Sequence, residues 1–64
     1  MTTIDIGTRI IEGPHSYTVV SLFWPEDGSG EIIDMVHDGT GFLDNCPLDE
    51  LLLSIEQGFV EVAQ

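Results

Sequence analysis

The sequence predicts an α+β domain, mainly β: a small antiparallel sheet of four to five strands, with one helix at about residues 47–57 before the last strand. Three observations predict it. β-Branched and aromatic residues recur with a period near two in three early segments, and each segment stops at Gly or Pro. A later segment carries apolar residues at helical spacing between a proline and a glycine.

Residues 5–12 are the first predicted strand, with Ile4, Ile6, Ile10 and Ile11 around Gly7, and Gly13-Pro14-His15 ends it in a turn. Residues 16–24 are the strongest element. Tyr17, Val19, Ser21 and Phe23 are expected on one face and Thr18, Val20, Leu22 and Trp24 on the other, which makes the strand central or covered by a partner. Residues 25–30 read as a turn, and residues 31–37 as a third strand with Ile33, Met35 and His37 on one face. Asp38-Gly39-Thr40-Gly41 closes that strand, and Phe42-Leu43 is a very short fourth.

The helix rests on agreeing signals. Pro47 suits the first helical position, Asp49 and Glu50 complement the positive end of the helix dipole, and Leu48, Leu51, Leu52 and Ile55 form one stripe. Gly58 ends it as a left-handed cap, and residues 59–62 return as the last strand.

Gly7-Thr8-Arg9-Ile10-Ile11, residues 13–20 and the closing Gly58-Phe59-Val60-Glu61-Val62 together resemble the SH3-like small β-barrels, which often place a short helical turn before their last strand. The resemblance covers most of the chain and implies a curled sheet. The helix is longer than one turn, so an open sheet packed against a helix is the other expected arrangement.

Residues 1–64 make one domain, and so short a chain buries only about 60% of the surface its unfolded form exposes. No internal disulfide supports it, because Cys46 is the single cysteine. Cys46, His15 and His37 are too few and too widely spaced for a structural zinc site, so no metal and no cofactor is expected. The first residues lack a basic stretch followed by an apolar core, and no apolar run approaches the ~18 residues of a membrane span; a cytoplasmic protein is expected.

Charge narrows the function. Twelve acids (Asp5, Glu12, Glu26, Asp27, Glu31, Asp34, Asp38, Asp44, Asp49, Glu50, Glu56 and Glu61) stand against one base, Arg9, for a formal net charge of −11. Direct binding to nucleic acid and attraction to anionic membranes both need clustered cations, and this chain has none. The expected partner is a basic protein surface. A hydrophobic fraction of 42%, arranged periodically, argues for a fold rather than acidic disorder.

No catalytic constellation emerges, so an enzyme is not expected. Ser16, Ser21, Ser29 and Ser54 approach His15 or His37 only in sequence, and a nucleophile needs a base that is itself oriented. Gly28-Ser29-Gly30 and Gly39-Thr40-Gly41 precede no helix and carry no Lys, so they are turns rather than phosphate loops. Residues 27–31 lack the alternating acids of a calcium loop. Cys46 reads as an unreactive thiol among acids, and His37 as a sheet residue with one satisfied nitrogen.

The candidate partner-binding residues are Glu26, Asp27, Glu31, Asp34, Asp38, Asp44, Asp49 and Glu50, with Trp24 and Phe42 as apolar anchors inside a charged rim. By size and charge the chain also resembles small acidic phage and mobile-element proteins of the anti-CRISPR and anti-restriction type. That resemblance implies an inhibitor, acting in the host cytoplasm, that presents carboxylates to the basic groove of a nucleic-acid-handling protein as a DNA mimic does. Mimicry is demanding: about one net charge per ~370 Å² is expected here, against about one per ~110 Å² of duplex. The other function that fits is an SH3-like structural or adaptor module, self-associating or binding a protein through the apolar face of residues 16–24; a homodimer would follow from it.

Overall fold

The computed structural model describes residues 3–28 and 30–63. Ser29, in the middle of the predicted 25–30 turn, lies outside the described residues. Five strands and one helix follow in the order β1 (Arg9–Glu12), β2 (His15–Phe23), β3 (Ile32–His37), β4 (Leu43–Pro47), α1 (Leu48–Gln57) and β5 (Glu61–Ala63). All pairings are antiparallel, and the strands lie in the order β4-β3-β2-β1-β5. The chain is therefore α+β and mainly β. Successive hairpins build β1 to β4, and β5 then returns to pair with the free side of β1. The edges are β4 and β5, so α1 joins one edge of the sheet to the other.

The end of the sheet that carries residues 13–14 and 38–42 is termed the lower end. The loop at 24–31 and the start of α1 form the upper end. The helix runs downwards over one face, because Pro47 pairs with Ile32 at the top while Glu61 pairs with Ile11 near the bottom.

Burial explains the arrangement. Ile10, Val19, Ile33, Met35, Leu51 and Val60 form the core with Ile4, and the predicted helical stripe of Leu48, Leu51, Leu52 and Ile55 packs there. Those leucines recur every three to four residues, so one side of α1 meets the sheet while Leu53 faces out. Gly58, at φ 84°, ends the helix: its N–H donates to Ile55 O over 3.1 Å and the Phe59 N–H to Ser54 O over 3.0 Å, a Schellman arrangement.

Several boundaries differ from expectation for local reasons. The predicted first strand, 5–12, begins only at Arg9, because the Thr8 N–H donates to Asp5 O and closes a turn through Gly7, whose φ is 93°. The last strand starts at Glu61 rather than Phe59, which remains in the exposed loop after Gly58. β4 is five residues, not the pair Phe42-Leu43. Asp44, Asn45 and Pro47 are poor strand formers, but pairing with β3 overrides them, and an edge strand tolerates the missing N–H of Pro47. Pro47 itself is the helix N-cap, extended at φ −62° and ψ 138°, and not the first helical residue.

The largest departure lies within β2. Val19 pairs with Met35 and Ser21 with Asp34, so Val20 is an extra residue, a β-bulge. The bulge reverses the alternation: Tyr17 and Val19 face the core, but the next inward residue is Leu22, opposite Ile33. The expected grouping of Tyr17, Val19, Ser21 and Phe23 on a single face is therefore wrong beyond Val19.

Candidate partner-binding surface

The two faces of the sheet differ in chemistry. On the face away from α1, Arg9, Ser16 and Thr18 converge on Asp38. Thr18 Oγ1 donates to Asp38 Oδ1 over 2.7 Å, and the Ser16 hydroxyl and Arg9 Nη2 both meet Asp38 Oδ2, the guanidinium at 3.5 Å. Arg9 Nη2 also donates to Ser16 Oγ over 3.1 Å. Hydrogen bonds from Ser16 and then Thr18 hold the Asp38 carboxyl below its ordinary value; desolvation opposes them more weakly, and the charge of Arg9 adds a still smaller lowering. The chain's one base is thus engaged with one of its own acids.

On the other face, the one that carries α1, His37 at the lower end of β3 is tied down at both ring nitrogens. Its Nδ1 accepts the N–H groups of Gly39 and Thr40, each at 3.1 Å, which places its proton on Nε2, facing His15 Nδ1 at 3.0 Å. Tyr17 stands edge-on to the same ring at 5.1 Å. His37 is indeed a sheet residue, more fully satisfied than expected. A His37 Nε2 that donates has no lone pair for a metal, and among the described residues no group of three or more His, Cys, Asp or Glu side chains could hold one.

On the face that carries α1, a cleft of about 210 Å³ opens between the helix and the lower sheet. Its floor is apolar, formed by Ile10, Met35, Leu51 and Val60 with Tyr17 alongside. Glu12 from β1, Asp44 from β4 and Glu50 from α1 line it as well. Half-buried Cys46 lies in its wall, where desolvation, then Asp44, then Glu50 push the thiol above its ordinary value. The thiol is accordingly held protonated and weakly nucleophilic.

The sequence-predicted binding residues do not form one patch. Trp24, Glu26, Asp27 and Glu31 belong to the upper end, near Asp49 at the helix start. Asp34 lies midway along β3 on the face opposite the helix, as its place between inward-facing Ile33 and Met35 requires. Phe42 and Asp38 sit at the lower end, so Trp24 and Phe42, exposed at 72% and 75%, are separated by the length of β3, about 20 Å. Only Asp44 and Glu50 of the predicted set meet in the cleft, and Asp38 is held internally. Glu12, the third carboxylate of the cleft, was not among the predicted residues. Glu12 lies on β1 and comes to line the cleft only through the sheet, while the alternation of β4 puts Asp44 and Cys46 on one side.

These features define a small, mainly β domain with an anionic surface: ten of the twelve carboxylates belong to exposed residues, and no charged residue is buried among those described. The chain matches no family model, no curated protein and no solved structure.

Proposed function

We propose that the chain is a non-enzymatic binding protein that presents carboxylates to a basic surface, as an inhibitor of a nucleic-acid-handling protein would. The observation that carries this reading is that Arg9, the one Lys or Arg of the sequence, pairs with Asp38, while ten of the twelve carboxylates belong to exposed residues. Such a surface repels nucleic acid and anionic lipid and attracts a Lys/Arg-rich protein, most strongly at low salt. A surface of 4434 Å² for a net charge of −11 gives about 400 Å² per charge. Duplex DNA is roughly fourfold denser, at about 110 Å² per charge, so the reading is one of charge complementarity rather than replication of the duplex.

The adaptor alternative has less support. Both edges of β2 are paired, by β1 and by β3, and its core-facing Tyr17, Val19 and Leu22 pack within the molecule. Its other face mixes Val20 and Phe23 with Ser16, Thr18 and Ser21, which leaves a narrow apolar area for self-association.

The test is retention of proteins from a lysate of the source cells on the immobilised chain, eluted by increasing salt. Retained proteins that are basic, bind nucleic acid and leave at moderate salt support the reading. Retention only of acidic or neutral proteins, held through high salt, contradicts it. Sedimentation adds a second arm: a salt-insensitive homodimer favours the adaptor and a monomer the inhibitor.

A further inference from the structure

We propose that the cleft between α1 and the lower sheet receives one lysine or arginine side chain of the basic partner. This rests on the function proposed above and adds where the partner is gripped. The cleft combines two surfaces that separately favour different ligands. Its floor of Ile10, Met35, Leu51 and Val60 is at most 8% exposed per residue and favours hydrocarbon. Its carboxylates, Glu12, Asp44 and Glu50, come from three different elements and favour a cation.

A wholly apolar ligand would strip water from the carboxylates without replacing it, at a cost. A bare metal ion fits no better, since the acids do not gather as a metal set. A long aliphatic stem with a charged head satisfies both parts: methylene groups lie on the floor while the head reaches the acids. Size agrees. Pockets for drug-sized molecules run from about 300 to 1,000 Å³, whereas this one, at about 210 Å³, suits a single side chain.

Arg9, the one Lys or Arg of the sequence, does not fill the cleft. Arg9 projects from the opposite face, where Asp38 and Ser16 hold it. The fields of Asp44 and Glu50 overlap within the cleft, because both act on the Cys46 thiol in its wall. Asp44 and Glu50 thus focus an attractive potential on an apolar recess, and Glu12 lines its β1 side.

The test uses the full chain, isotopically labelled, titrated with N-acetylarginine amide as the probe and N-acetylglutamine amide as the uncharged control. Saturable amide shifts centred on Asp44, Cys46 and Leu51, seen with the arginine probe alone, are expected. The double substitution Asp44→Asn/Glu50→Gln should weaken the probe at least tenfold. Glu26→Gln/Glu56→Gln, which removes equal charge elsewhere, should weaken it less than twofold, and the amide spectrum of each variant reports its fold. Shifts spread without saturation over all the acids, or equal weakening by both pairs, would overturn the assignment. A partner retained from lysate equally well by the wild type and by Asp44→Asn/Glu50→Gln would also sink the cleft, yet leave the basic-partner reading standing.

Discussion

Thr18 donates its hydroxyl to Asp38 across 2.7 Å, tying the middle of β2 to the turn that follows β3. Ser16 and Arg9 complete this knot on the exposed face of the sheet, so a single carboxylate collects the donors of two strands. Two consequences follow, one for stability and one for recognition.

The carboxyl of Asp38 is held below its ordinary value, near 3.8, so its stabilising effect is fully present above that pH and is lost as pH falls through the lower folded value. Asp38→Asn should therefore be less stable than wild type at neutral pH, with the difference shrinking below about pH 4. Urea unfolding of both proteins across this range measures it. A gap that is constant with pH would show that the carboxylate's ionisation is irrelevant to the knot.

With a formal net charge of −11, the compact state repels itself. Raising ionic strength from about 0.01 M to 1 M shortens the screening length from about 30 Å to 3 Å and should raise the melting temperature, on the order of 5 °C for roughly 1 kcal/mol in a domain this size. A flat melting temperature would mean the acids stand too far apart to interact.

Ile33 is fully buried at the centre of the sheet, opposite Leu22 on one side and Cys46 on the other. Ile33→Val should cost about 1 kcal/mol and Ile33→Ala about 2–5 kcal/mol, enough to unfold much of so small a domain. Circular dichroism of the two variants at 25 °C would show the contrast.

The central sheet and the helix were legible because their signals are local. Alternating Ile, Val and Met in β3 and the leucine stripe of α1 show in the sequence by periodicity alone. β4 was not legible, since Asp44 and Asn45 disfavour strands and only the ladder to β3 holds them extended. The bulge at Val20 carries no Gly or Pro to announce it. The cleft was hidden for the same reason: Glu12, Asp44 and Glu50 come to line one cleft only once β4 lies beside β3 and α1 crosses the sheet.

Cys46 offers an independent probe of that cleft. Its thiol is raised first by desolvation and then by Asp44 and Glu50, so alkylation by iodoacetamide near neutral pH should be slower than for an unstructured cysteine. Asp44→Asn/Glu50→Gln should speed it about two- to threefold, a modest gain because desolvation persists. An unchanged rate would place both acids too far from the thiol to act on it.

The most direct test of the central claim uses a basic partner once it has been retained and purified. The rate of association, followed by surface-bound kinetics at several salt concentrations and with duplex DNA added as competitor, should fall at least tenfold from low to high salt, and the duplex should displace the chain. A rate indifferent to salt, together with a stable complex holding the chain, the partner and the duplex at once, would contradict the account.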